Sequence, residues 1–155
     1  VDFLTRPEVE ALLKTPDQAT WLGRRDYALL LVGVQTGLRV SELIGLRPEQ
    51  IILGTGPHIQ CRGKGRKERC VPLTRQTVAV LKAWNTDPNG GPSEPVFRSR
   101  HGGALSRDAV ERLVDKYAAT AANTWRRIAA NSKRMIVWLF YHRRQRNHSK
   151  TTAFT

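Results

Sequence analysis

The stretch Cys61-Arg-Gly-Lys-Gly-Arg-Lys-Glu-Arg-Cys70 places five basic side chains between two short apolar runs. Those runs are Pro57–Cys61 and Cys70–Leu73. Apolar edges around a glycine-rich centre predict a β-hairpin. We place its turn at Gly65-Arg66. This register pairs Lys64 with Lys67, Arg62 with Arg69 and Cys61 with Cys70.

Because side chains alternate along a strand, the predicted register puts four basic side chains on one face: Arg62, Lys64, Lys67 and Arg69. Like charges that face one another destabilise a hairpin, and a bound polyanion would relieve that repulsion. The alternative is a solvated, charged hairpin. The two cysteines are expected to be free thiols on the core face, with a cross-strand disulfide as the alternative. Their spacing, without nearby histidines, makes a poor metal site.

Composition indicates one basic domain with a core. The chain has 155 residues, of which 40% are hydrophobic, and a net charge of +13. Such an excess favours nucleic acid or another anionic partner and leaves the fold open. No apolar run approaches the ~18 residues of a membrane span, and the N-terminal residues lack the pattern of a signal peptide. We therefore expect a cytoplasmic protein without membrane contact.

The charge changes abruptly near residue 124. Residues 1–123 hold 18 Lys and Arg against 13 Asp and Glu, whereas residues 124–155 hold 8 Lys and Arg and no acid. We predict a folded domain over 1–123 and a divergent basic segment, poorly ordered, over 124–155.

Apolar spacing and capping residues predict mostly helices in the first segment. The fold class expected is α+β, mainly helical, with a small three-stranded antiparallel sheet packed on a helical bundle. We predict a helix that begins after Thr5 with a Glu8 capping box, then helices over 23–35, 39–46, 75–84 and 106–122. The expected strands are 51–53 and the two hairpin arms, and Val96-Phe97 is expected to be extended.

A second informative segment is Gln35-Thr-Gly-Leu-Arg-Val-Ser-Glu-Leu-Ile-Gly-Leu46. Arg39 follows a glycine break at a predicted helix start, where backbone N–H groups favour anions. Glu42 lies three residues on and is placed to orient the Arg39 guanidinium. The plain alternative is a surface Arg–Glu pair, worth a few tenths of a kcal/mol.

Together the two segments resemble the catalytic domain of the tyrosine recombinases, which include phage integrases and Xer-type recombinases. Two segments carry the resemblance, because they occur in the family's order and at very nearly the family's spacing. They are Thr36-Gly-Leu-Arg-Val-Ser-Glu-Leu43 and Gly63-Lys-Gly-Arg-Lys-Glu-Arg-Cys-Val-Pro-Leu73. Phe3–Leu13 and Leu105–Leu113 are also similar to helices of that domain. The resemblance covers about residues 3–123.

The resemblance implies breakage and rejoining of duplex DNA through a phosphotyrosine, without metal or other cofactor. It assigns Arg39 to transition-state charge, Lys64 to protonation of the leaving 5′ oxygen and Glu42 to support of Arg39. Partners implied are double-stranded DNA and further copies of the chain on that DNA. The remaining basic hairpin residues are expected to position DNA phosphates: Arg62, Arg66, Lys67 and Arg69.

The family pattern is not recognisable after Asn123. His142 is followed by Arg143-Arg144, so the family's His-x-x-Arg segment fails by one place, and Tyr141 precedes that histidine. Three interpretations fit these residues: an out-of-frame or rearranged end of a decayed integrase gene, a divergent but functional basic arm, or a variant site that uses Tyr141, His142 and Arg144. The helical clamp domain that usually precedes this region is also not seen. We expect DNA binding with little strand cleavage; the alternative function is a non-catalytic module that binds DNA or RNA.

Overall fold

The computed structural model describes residues 5–62, 67–88 and 95–122. These segments are mainly helical and carry one small antiparallel sheet, which confirms the predicted fold class. In chain order the elements are α1 (Arg6–Leu13), α2 (Trp21–Thr36), α3 (Val40–Ile44), a 3-10 turn (Pro48–Gln50), β1 (Ile51–Ile52), β2 (His58–Arg62), β3 (Glu68–Pro72), α4 (Arg75–Asn85) and α5 (Arg107–Ala122).

Local capping residues start the helices close to where the sequence predicts them. The Glu8 carboxylate accepts the backbone N–H of Thr5 at 2.6 Å, which begins α1. Thr74 caps α4 by accepting the N–H of Thr77 at 3.3 Å, and Ser106 caps α5 by accepting the N–H of Ala109 at 3.0 Å. Each bond satisfies an N–H group that has no partner within the helix.

Helix α2 lies at the centre of the described helices. It packs against α1, α3 and α4. Three consecutive leucines of this helix are at most 5% exposed, so it is buried on several faces: Leu29, Leu30 and Leu31. It begins two residues before the predicted start, because the Thr20 hydroxyl accepts the N–H of Gly23 at 3.0 Å.

The hairpin register differs from our prediction by one residue. The observed strand pairs are Gln60 with Cys70, Cys61 with Arg69 and Arg62 with Glu68. The core decides this register, because it places Ile59 opposite Val71 on the inner face rather than opposite Pro72. A shift of one residue moves every side chain of a strand to the other face relative to its partner.

The expected extended piece at Val96-Phe97 is a bend, and the pairing occurs just after it, as an isolated bridge between Arg98 and Ala104. Phe97 is fully buried, so this segment serves the core. The Val96 N–H donates to Leu46 O at 2.8 Å and thereby joins the segment to the end of the α3 region.

Several predictions fall on residues outside the described segments. They concern Lys64 and Arg66 in the hairpin, and everything predicted for 124–155, Tyr141 included. Within the described segments, no helix combines the length and apolar character needed to cross a bilayer.

Candidate active site

The backbone at Arg39 is held by a sharp helix-to-helix junction. Helix α2 ends at Gly37, which has φ 65° and donates its N–H to Gly33 O at 3.0 Å. A positive φ of this size favours glycine over residues with a Cβ. Leu38 is fully buried and anchors the turn. Arg39 is therefore fixed as the residue immediately before α3.

Glu42 joins this junction to the sheet. Its Oε2 accepts the backbone N–H of Arg39 at 2.8 Å and the Nη2–H of Arg69 at 2.7 Å. The Glu42 side chain is 13% exposed and that of Arg69 30%. Two further polar atoms of this pair, Glu42 Oε1 and Arg69 Nε, are buried without a hydrogen-bond partner in the described structure.

This geometry corrects the expected role of Glu42. The carboxylate holds the backbone of Arg39 and the guanidinium of Arg69, 27 residues away, instead of the guanidinium of Arg39. The sequence signal for this pairing was weak, because it depends on which face of β3 carries Arg69.

The Arg39 guanidinium forms no hydrogen bond or ion pair with any residue of the described segments, and the residue is partly exposed. It is a permanent charge with a planar set of N–H donors that matches phosphate oxygens. Because Glu42 is engaged by Arg69, that charge is available to an external anion.

Cys61 lies opposite Arg69 on the inner face of the hairpin. Burial, and then the nearby Glu42 carboxylate, raise the pKa of the Cys61 thiol, while Arg69 acts in the opposite direction. Cys61 is therefore a neutral, buried thiol. Cys70 is exposed, which corrects the expectation that both cysteines fill the core, and both are free.

Gln35 ties the base of the hairpin to α2, a role that sequence reasoning missed. Its Nε2 donates to Pro72 O at 3.0 Å, and its Oε1 accepts the N–H of Thr74 at 3.3 Å. One side chain thus fixes the end of β3 and the start of α4 beside the helix that leads to Arg39. The only sequence signal was its place at the start of the quoted motif.

The basic hairpin residues do not share one face, which corrects that prediction. Arg62 lies on the outer face, opposite Glu68, and its Nε is 3.4 Å from Glu68 Oε1 with both side chains well exposed. Arg69 lies on the inner face against Glu42, and Lys67 is exposed. The described structure brings together Arg39, Glu42 and Arg69.

The cluster of Arg39, Glu42 and Arg69 carries a net positive charge. No group of three or more His, Cys, Asp or Glu side chains within the described segments is arranged to hold a metal ion. The available chemistry is binding and stabilisation of an anion at Arg39.

Comparison with known proteins gives the same assignment as the motifs. A model described as the phage integrase family matches residues 2–139, and so reaches past the composition change at residue 124. The integrase/recombinase y4rC of Sinorhizobium fredii is 50% identical over 122 residues, which make up 79% of this chain and 37% of that protein. The tyrosine recombinase XerD of Pseudomonas putida is 37% identical over 123 residues, or 76% of this chain and 41% of that protein.

Solved structures agree in fold. XerH recombinase in a post-cleavage complex with palindromic difH substrate has a TM-score of 0.65 and 25% identity, covering 77% of this chain and 35% of that one. XerA recombinase has a TM-score of 0.65 at 22% identity, covering 100% of this chain and 61% of that one, which supports the fold alone.

The chain spans 37% and 41% of the lengths of these two curated relatives. The family model nevertheless covers most of its residues, and both relatives are more than 30% identical. The chain therefore belongs to the phage integrase family, and its described residues form part of a tyrosine recombinase catalytic domain.

Proposed function

We propose that this chain supplies part of the catalytic domain of a site-specific DNA recombinase, and that Arg39 binds the phosphate at which the strand is cut. The observation that carries the proposal is the Arg39 guanidinium, which no described residue engages, on a backbone fixed by Gly37 and Glu42. A preorganised cation costs little reorganisation when charge develops beside it.

The reaction that we propose for this site is an in-line displacement at phosphorus. A tyrosine hydroxyl attacks and releases its proton to solvent, the new O–P bond forms as the P–O5′ bond breaks, and the electron pair leaves on the 5′ oxygen. The non-bridging oxygens carry extra negative charge at that point, and Arg39 stabilises it more strongly than in the ground state. Lys64, assigned by the family resemblance, donates a proton to the departing oxygen.

DNA as partner is supported by the relatives, since the XerH structure holds its difH substrate. It is also supported by the charge of this chain, +13 over 155 residues. Neutralised phosphates release counterions, so affinity falls as salt rises. Self-association on DNA and the roles of Arg62, Arg66 and Lys67 as phosphate contacts remain part of the proposal.

The first experiment measures binding of a 30-base-pair duplex by fluorescence anisotropy over a series of salt concentrations. We expect Arg39→Ala to weaken binding about tenfold, as for loss of a bond to a charged group, and to lower the slope of log affinity against log salt by about 0.9. Arg6→Ala is the matched control, since it removes a charge from an exposed pair with Glu10 on α1. An Arg39→Ala variant that binds like the control contradicts the proposal.

The second experiment tests cleavage. Duplexes enriched from a randomised pool by binding are nicked near the centre, so that a cut strand diffuses away and any covalent protein–DNA adduct accumulates. We expect little adduct from this chain, because Tyr141 precedes His142, whereas the family's nucleophilic tyrosine follows its histidine. An adduct that disappears in Tyr141→Phe would identify Tyr141 as the nucleophile. Equal affinity for duplex DNA, RNA and single strands would favour the non-catalytic module.

A further inference from the structure

We propose that Arg69 is a positioning residue that keeps Glu42 from neutralising Arg39, and that it does not itself contact the DNA phosphate. The inference rests on the proposed function. It revises our expectation from the hairpin pattern, which grouped Arg69 with the phosphate contacts.

Among the described residues, three charged groups meet at the site: the Arg39 and Arg69 guanidinium groups and the Glu42 carboxylate. Glu42 bonds to Arg69 through Oε2 at 2.7 Å and to Arg39 only through the backbone N–H, at 2.8 Å. A further ionisable neighbour among the described residues is Cys61, whose thiol is kept neutral by burial. Arg69 therefore balances the carboxylate and leaves the charge of Arg39 uncompensated.

Removal of Arg69 changes that balance. The Glu42 carboxylate is 13% exposed, and a carboxylate so poorly hydrated requires a cationic or hydrogen-bonding partner. Arg39 lies three residues before Glu42 at the start of the same short helix, a spacing at which side chains of opposite charge pair. We therefore expect Glu42 to capture the Arg39 guanidinium and to compete with phosphate for it.

Two features argue against a direct phosphate contact by Arg69. Its Nη2 is committed to Glu42, and its Nε is buried without a partner in the described structure. Its strand position also faces inward, opposite the buried Cys61, whereas Arg62 faces out.

The test measures duplex binding by anisotropy, with the same 30-base-pair DNA and salt series, for Arg69→Met, Glu42→Gln and Glu42→Gln/Arg69→Met. We expect Arg69→Met to weaken binding about tenfold, which is the loss expected for Arg39→Ala. We expect the double variant to return to within about threefold of the parent chain. The amide oxygen that Glu42→Gln introduces can still accept the Arg39 N–H, but the amide carries no charge to capture the Arg39 guanidinium.

A double-mutant cycle of Arg39 and Arg69 distinguishes a positioning role of Arg69 from a direct phosphate contact and from a general loss of structure. If Arg69 acts through Arg39, Arg39→Ala/Arg69→Met binds no more weakly than Arg39→Ala, and its salt slope is the same. If Arg69 touches a phosphate, the two losses multiply and the slope falls by about 0.9 more, which overturns the inference. A double variant Glu42→Gln/Arg69→Met that remains as weak as Arg69→Met overturns it as well.

Thermal unfolding followed by circular dichroism is recorded for every variant, and binding is measured where each is folded. Should Arg69→Met not fold, Arg69→Gln replaces it, since it keeps a donor for Glu42 Oε2 without the charge. Arg6→Met is the control for loss of one positive charge in an ion pair. If Arg39→Ala does not weaken duplex binding, both the proposed function and this inference are refuted. The outcomes of the Arg69 variants bear on the inference alone.

Discussion

Tyr117→Phe tests the buried network that fixes α5 against α2. The Tyr117 hydroxyl donates to Asp26 Oδ2 at 2.7 Å. Asp26 Oδ1 in turn accepts from the Nε and Nη2 of Arg25 at 2.8 and 2.6 Å. The Arg25 Nη1 donates to Arg98 O at 3.0 Å, so one network joins three parts of the chain.

The expected loss of stability follows from the hydrogen bond to Asp26 that phenylalanine cannot make. Tyr117 is 5% exposed and the Asp26 side chain 7%, so water does not readily replace the lost donor. A hydrogen bond to a charged group contributes about 1.5–3 kcal/mol, and an unsatisfied buried acceptor costs a similar amount. The ring itself is retained, so no large cavity forms. We expect Tyr117→Phe to lower the free energy of unfolding by about 2 kcal/mol.

The measurement is urea unfolding at neutral pH, with Tyr27→Phe as the matched control. The Tyr27 hydroxyl accepts one exposed bond, from Gln76 Nε2 at 3.4 Å. Its removal should change the free energy of unfolding by less than about 0.5 kcal/mol, as for other surface changes. The reasoning is refuted if the two variants lose the same stability.

The difference should shrink at alkaline pH. Burial, followed by the bond to Asp26, raises the pKa of the Tyr117 phenol in the folded chain. In the unfolded chain a tyrosine titrates near pH ~10. Above that pH the folded state binds more protons than the unfolded state, so stability falls as pH rises, by up to about 1.4 kcal/mol per pH unit. Tyr117→Phe lacks this contribution, so a constant difference between pH 8 and pH 11 would contradict the assignment.

Two further predictions concern the cysteines and one glycine. Cys70 is exposed, whereas Cys61 is buried and has a raised thiol pKa. A thiol reagent should therefore label one equivalent at once and the second only in denaturant. Cys70→Ser should abolish the rapid phase, and a rapid phase that persists in this variant would contradict the burial of Cys61. A Cβ on Gly23 would lie 1.7 Å from Asp17 O, so Gly23→Ala must displace the preceding loop and should cost about 2 kcal/mol in unfolding free energy despite the better helix propensity of alanine. Gly54→Ala, whose Cβ meets nothing within 4 Å, is the control, and equal stability of the two variants would refute the clash.

The helix starts were predictable because their causes are local. Thr5 with Glu8, Thr74 and Ser106 each lie within three residues of the groups that they cap. Gly37 likewise ends α2 by its own backbone conformation, with φ 65°. Such signals do not depend on the rest of the fold.

The register of the hairpin could not be predicted from neighbouring residues alone. Its glycine-rich composition predicts two strands, but the charges alone do not choose between two registers that differ by one residue. The core chooses, because it buries Ile59 opposite Val71. That choice turns Cys70 outward and Arg69 inward, and so creates the pair with Glu42.

The order of the residues was enough to predict the family, the mixed helical class and the junction that holds Arg39, since each depends on residues adjacent in the chain. Only the folded arrangement set which partner Glu42 takes and how Asp26 is satisfied, because Arg69 and Tyr117 lie 27 and 91 residues away. Packing of the core brings such distant groups within bonding distance, and the free energy of burying charge then selects their partners.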